Sequence, residues 1–335
     1  MRRHRRGGGV VSAVLTLPPG VALCHLPAPL PLAGGGALAG AVLAFERQGP
    51  AGAPVIVVLG GITAGAHVAA HAARPEPGWW QAIVGPGLPI DTTRFQVLSF
   101  DWIGGAGCST APGPGEQFPG IAAADQARAL WCLCDQLGID AVHALVGSSY
   151  GGMVALHAAA QQRDRAQRLA AIAAAHRSHP QASAWRSVQR GIVELGVGAG
   201  CAREALALAR ALAMTTYRTP EDLARRCTGG GGARPAVQEW LAACGRQFAS
   251  GWTAEQFLCL NRSIDAHCID PRAVGVPTSL LAFAGDQLVP PAEVRELALA
   301  LPDLRLHREV RSRYGHDAFL KEPAVVGAFL REVLR

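Results

Sequence analysis

The stretch from Val142 to Leu156, V-H-A-L-V-G-S-S-Y-G-G-M-V-A-L, constrains this chain more than any other. Val142 to Val146 is a continuous apolar run, short enough to read as a buried strand. Gly147-Ser148-Ser149-Tyr150-Gly151 follows and fits G-x-S-x-G, and an alanine-rich helical pattern begins at once. A strand that turns into a helix so abruptly holds its apex residue, Ser149, in a strained conformation. Small residues two before and two after it let the backbone close. The Ser149 hydroxyl then stands at the N-terminus of the helix, where the dipole favours developing negative charge. In a chain with 40 glycines the five-residue pattern is weak by itself. Ser149 becomes a nucleophile only if the rest of the chain supplies a base and an acid in compatible places.

The apolar runs and their breakers predict the frame. A chain of 335 residues accommodates one large α/β domain or two ordinary ones. Residues 1–20 read as a disordered tail: arginine-rich, then Gly7-Gly8-Gly9, then Pro18-Pro19. Ala41 to Phe45 reads as part of an opening antiparallel hairpin. Val55–Leu59, Phe95–Phe100, the Val142 run and Leu169–Ala174 read as buried parallel strands, with a helix over Ile121–Leu137 stopped by Gly138. From 176 to 270 the period is helical, interrupted by Gly229 to Gly232, a flexible joint. The βα alternation resumes with a strand at Ser279–Ala284, a helix at Pro291–Ala300, a strand at Leu304–Val310 and a helix at Pro323–Leu334. The expected class is α/β: a mostly parallel central sheet formed by 21–175 and 271–335, with 176–270 inserted as a helical cap.

A serine nucleophile needs a general base, and the base needs an orienting carboxylate. Asp286 directly follows the Ser279–Ala284 strand, and His316 lies in the loop after the last strand, in Tyr314-Gly315-His316-Asp317. The order Ser149, Asp286, His316, with each residue after a strand, is that of an α/β-hydrolase triad. The backbone N–H of Tyr150 is one expected oxyanion donor. The other is expected from Gly61 or Ile62, in the loop after Val55–Leu59. His67, His71, His176 and His179 are expected near the site mouth or on the surface, and His143 and His157 within a strand and a helix.

Charge and cysteine usage narrow the class. The formal charge is +6, but Arg2, Arg3, Arg5 and Arg6 carry much of it, and no basic stripe interleaves with aromatics, so nucleic acid is not an expected partner. The run Val10–Leu17 is broken by Ser12 and Thr16, which argues against a signal peptide, and no run reaches the ~18 apolar residues of a membrane-spanning helix. The nine cysteines are scattered without metal-ligand spacing, as expected of buried thiols in a reducing cytoplasm. Neither a metal nor a resident cofactor is expected.

With these residues placed, the chain resembles the homoserine O-acyltransferase family of methionine biosynthesis, of α/β-hydrolase type, over roughly residues 35–330. Gly78-Trp79-Trp80, Gly85-Pro86-Gly87 and Ile90-Asp91-Thr92 match the family's GWW…GPG…IDT block. Ser149 to Met153 matches S-x-G-G-M, and Gly315 to Leu320 matches GHDAFL. The segment from Leu208 to Leu212, with Thr216-Tyr217, is similar to the family's cap motif LARM…TY. The resemblance implies that Ser149, Asp286 and His316 form the triad. It implies that Arg210 binds the amino-acid carboxylate and that Asp317 pairs with the substrate ammonium. It also implies ping-pong transfer of an acyl group from acyl-CoA to the hydroxyl of L-homoserine, and a homodimer joined through the caps.

The chain departs from the family in three ways. The segment Asp101 to Pro112 is only partly like N-x-L-G-x-C-x-G-S-T-G-P, Gly60-Gly61-Ile62-Thr63 replaces H-A-L-T, and the cap is short. Leu288 stands two residues after Asp286, where many succinyl-using members carry arginine, and acetyl and succinyl donors both remain open. A serine O-acyltransferase and a carboxylic-ester hydrolase of the same fold are the alternatives.

Overall fold

The computed structural model describes residues 17–26, 29–228 and 235–335. Most of the expected tail, residues 1–16, and the joint at Gly229–Gly232 lie outside the described residues. Residues 17–20 do have a described structure. They make a turn that the Val21 N–H closes onto the Pro18 carbonyl at 3.2 Å, leading straight into the first strand.

Eight strands form one sheet: β1 (Val21–His25), β2 (Val42–Gln48), β3 (Val55–Leu59), β4 (Gln96–Phe100), β5 (Ala144–Ser148), β6 (Leu169–Ile172), β7 (Thr278–Ala284) and β8 (Leu304–Arg311). Their spatial order is β1-β2-β4-β3-β5-β6-β7-β8. The β1–β2 and β2–β4 pairs are antiparallel and the rest are parallel. The central strands β3 to β6 are buried at every position because both faces of the sheet are covered. In β3, Val55, Val57 and Leu59 enter the core on one face. Ile56 and Val58 enter a second core on the other, following the period of two.

The first core is closed by α1 (Ala123–Gln136), α2 (Tyr150–Gln161) and α8 (Pro291–Ala300), through residues such as Leu130, Leu156 and Leu297. The second is closed by α9 (Pro323–Val333), through Val326, Phe329 and Leu330. Between β6 and β7 the chain makes α3 (Pro180–Gly198), α4 (Ala202–Tyr217), α5 (Pro220–Thr228), α6 (Pro235–Gly251) and α7 (Ala254–Asp265). Helix α4 packs between α3 and α6. Val193, Leu206, Ala209, Ala249 and Phe257 make a small core of their own.

The expected Val142 strand is shifted. It runs from Ala144 into the motif as far as Ser148, and His143 lies just before it. Gly147 does not break the strand, because a β-carbon there would sit 2.3 Å from the Gly151 carbonyl oxygen: the glycine is the contact surface for α2. Strand β3 lies between β4 and β5, so chain order reverses at this strand. The crevice at its C-terminal end is where open α/β sheets bind ligands.

Candidate active site

Ser149 caps the N-terminus of α2 with φ 54° and ψ −123°. Ser149 and Ala173 are the non-glycine residues with positive φ among those described. Such a backbone costs on the order of 1–3 kcal/mol, and its surroundings must hold it. A β-carbon on Gly151 would meet the Leu59 carbonyl oxygen at 2.2 Å, so only glycine lets α2 begin against the end of β3. The Gly151 N–H uses that closeness, donating to the Gly60 carbonyl at 2.8 Å.

The structure brings the three predicted residues into one relay. Ser149 Oγ lies 2.7 Å from His316 Nε2, and His316 Nδ1 lies 2.7 Å from Asp286 Oδ2. Asp286 Oδ1 accepts the backbone N–H groups of Leu288 and Val289, both at 2.9 Å. Both Asp286 and His316 are buried. Burial alone would push the imidazolium of His316 down. The charge and hydrogen bond of Asp286, aided by Asp317, outweigh it and leave the His316 pKa above its ordinary value, while Arg186 acts the other way.

The backbone N–H groups of Ile62 and Tyr150, the expected oxyanion donors, donate to no protein acceptor among the described residues. The loop that carries Ile62 is braced from four sides. Gly60 is held by α2, the Gly61 carbonyl accepts from Trp102 Nε1 at 3.1 Å, and the Gly65 carbonyl accepts from Trp79 Nε1 at 3.1 Å. The Ala66 N–H donates to Asp101 Oδ1 at 2.7 Å. Burial raises the pKa of Asp101 despite the N–H bonds it receives from Cys108 and Ala66. Trp80 ties the same segment to the histidine loop, donating from Nε1 to the Phe319 carbonyl at 3.0 Å. The tryptophans of the GWW block thus position the two loops that flank Ser149.

Ser149, His316 and Ile62 open into a cavity of about 170 Å³ under the cap helices. Arg210, Asp317 and Leu288, the other predicted site residues, also line it. The Arg210 guanidinium lies over the rings of Tyr217 and Phe248 and donates to the Tyr217 hydroxyl at 3.4 Å. No carboxylate partners it among the described residues. Asp317 is already held on one side, with Oδ2 at 2.8 Å from Arg218 Nη2. The sequence does not single out Arg218 for this contact, nor Arg186, Gln189 and Asn261, which also line the cavity. Nothing in their local pattern distinguishes them from other polar residues on cap helices.

His67, His71, His176 and His179 do not line the cavity. His67 Nδ1 and His71 Nε2 lie 2.9 and 3.1 Å from Glu46 Oε2, and Arg74 holds Oε1 at 2.5 Å. Burial acts to raise the Glu46 pKa, and these three partners together bring it below its usual value. Among the described residues no helix is long and apolar enough to cross a membrane.

The model of the α/β-hydrolase fold matches residues 54–323. The chain is 42% identical over 298 residues to a homoserine O-succinyltransferase of Xanthomonas campestris pv. campestris, covering 88% of this chain and 79% of that protein. It is 31% identical over 354 residues to a homoserine O-acetyltransferase of Thermobifida fusca, covering 92% of each. The crystal structure of esterase E22 superposes with a TM-score of 0.85 at 19% identity, covering 94% of this chain and 99% of that one, a likeness of fold alone. A fold-wide match, a relay of serine, histidine and aspartate at the strand ends, and extended identity to acyltransferases agree, and the chain belongs to the homoserine O-acyltransferase family of the α/β-hydrolase fold.

Proposed function

We propose that this protein transfers an acyl group from acyl-CoA, through Ser149, to the hydroxyl of L-homoserine. One observation carries the reading: Arg210, with no carboxylate partner, and Asp317 line the same cavity as Ser149. A guanidinium fork suits an α-carboxylate and an aspartate suits an α-ammonium, so the pair is a clamp for an amino acid. An ester hydrolase has no use for it. The names borne by the relatives support the same reading.

In the first half-reaction His316 Nε2 takes the Ser149 proton as Oγ attacks the thioester carbonyl. The N–H groups of Tyr150 and Ile62 receive the oxyanion, the C–S bond breaks, and the departing thiolate takes the proton from His316. In the second, His316 takes the proton of the homoserine hydroxyl as that oxygen attacks the acyl-serine. The Oγ–C bond breaks and the proton returns to Ser149. Water competes at this stage, and the cap lowers its access with Phe248 and Trp252 along the cavity wall. Both substrates arrive and leave, and the scheme calls for no resident cofactor or metal.

A homodimer joined through the caps goes with this reading. Val188, Leu195 and Val197 on α3 and Leu208 on α4 are large apolar side chains left exposed, and a second copy would cover them. The unpaired thiols among the described residues fit a reducing cytoplasm. The test is release of free CoA from acyl-CoA with and without homoserine or serine. Homoserine-dependent release is the expected result. Release that ignores both amino acids makes the protein a hydrolase and sinks the proposal.

A further inference from the structure

We infer that Arg186 receives a carboxylate at the far end of the acyl group, so that the group carried by Ser149 is a dicarboxylic half-ester of the succinyl kind rather than acetyl. The inference rests on the acyl-transfer reading above and adds the substrate class.

Arg186 lies on α3, is 8% exposed, and lines the Ser149 cavity. Its head is fixed on two sides. Nε donates to Asp265 Oδ1 at 2.7 Å, and Nη2 donates to the hydroxyls of Ser178 and Ser183. Nη1 donates to no protein acceptor among the described residues, and the side chain lines the cavity. A guanidinium oriented in this way, with donors to spare, is pre-organised for an oxygen anion.

The charges around the cavity give the same answer. Asp265 answers two guanidinium groups, because Arg190 Nη1 also lies 2.5 Å from its Oδ2. One carboxylate against Arg186 and Arg190 leaves one positive charge over beside the cavity. Burial is the dominant influence on Arg186 and pulls its pKa below the usual guanidinium range despite Asp265. A homoserine zwitterion does not settle this surplus. Its carboxylate is taken by Arg210 and its ammonium faces Asp317, so it brings no net charge. An acetyl group brings none either. An acyl chain ending in a carboxylate brings one negative charge into the same cavity, and Arg186 is the lining cation left for it, because Arg177, which also lines the cavity, is paired with Glu293 and Glu296. Leu288 adds an apolar side chain to the same wall. Arg186 also acts electrostatically on His316, so the anion would sit within the field of the reacting centre.

The experiment measures kcat/KM for succinyl-CoA and acetyl-CoA with saturating homoserine, in the wild-type full chain and in Arg186→Leu and Arg186→Lys. The wild type is expected to prefer succinyl-CoA. In Arg186→Leu the succinyl-to-acetyl ratio should fall by about 100-fold, the order of one lost charge-assisted contact. Arg186→Lys, which keeps the charge but not the fork, should recover part of the ratio. Thermal melts of each variant accompany the kinetics, and a ratio is insensitive to a loss of folded enzyme. A wild-type preference for acetyl-CoA overturns the inference, as does a ratio unmoved in both variants, while homoserine-dependent CoA release leaves the acyl-transfer reading standing. If neither thioester gives homoserine-dependent release, both fall.

Discussion

Asp286→Asn changes a single atom of the relay, and its effect follows from how Asp286 is held. The side chain has no solvent exposure. Its Oδ1 accepts two backbone N–H groups, from Leu288 and Val289 at 2.9 Å each, and its Oδ2 meets His316 Nδ1 at 2.7 Å. An asparagine amide has only one acceptor. To satisfy two N–H donors it must put its oxygen at the Oδ1 position, which aims its NH2 at His316. His316 Nδ1 then has to accept, the ring proton moves to Nε2, and the nitrogen that must take the Ser149 proton is occupied. The size and packing of the residue hardly change, so the cost appears in the barrier rather than the fold. Both acylation and transfer should slow by about 10⁴-fold, roughly 5 kcal/mol.

The pH profile sharpens this test. Asp286 holds the His316 pKa above its ordinary 6.5, and the base works only when neutral, so wild-type kcat/KM should fall as pH drops through a value above 6.5. In Asp286→Asn the residual activity loses that influence while burial remains, so its acid limb should move below 6.5. The assay is single-turnover CoA release followed through a thiol reagent across pH, alongside a thermal melt. The reasoning fails if a normally folded variant keeps more than about a tenth of the wild-type acylation rate, or if its acid limb stays where it was.

Two further perturbations test other parts of the site. Arg210→Ala should weaken kcat/KM for homoserine by about 100-fold, the order of a lost bidentate contact, while Ser149 is still acylated; intact mass after acyl-CoA alone checks it, and loss of the acyl adduct contradicts the assigned role. Gly151→Ala puts a methyl 2.2 Å from the Leu59 carbonyl oxygen, an atom of a central strand that cannot give way. Urea melts should show a loss of at least about 1–3 kcal/mol together with loss of activity, because the oxyanion loop moves with Gly60.

The nucleophile turn was the most legible feature of the sequence, and its reasons are local. A positive φ at Ser149 and close backbone approach at Gly147 and Gly151 are demands that a few consecutive residues express directly. The sheet was legible for a similar reason: strands covered on both faces carry short continuous apolar runs, so β3, β5 and β6 stand out. Asp286 and His316 follow from the same map, because each comes at the end of a strand and parallel strands bring their C-terminal ends to one edge. Strand ends were less legible. Gly147 and Ser148 belong to β5, although small residues there look like the start of a turn.

The sequence by itself therefore determined the α/β frame, the turn that presents Ser149, and the blocks that mark the family. Only the tertiary structure decided how charge is distributed in the cavity. Arg186 and Arg190 share Asp265 across the gap between α3 and α7, Asp317 is held by Arg218 from beyond α4, and Arg210 is left against aromatic rings with no carboxylate. The physical reason is range. Backbone strain and strand burial act on neighbours in the chain and leave a pattern there. Charge compensation depends on which side chains meet in space, and residues far apart in sequence leave no local trace of it.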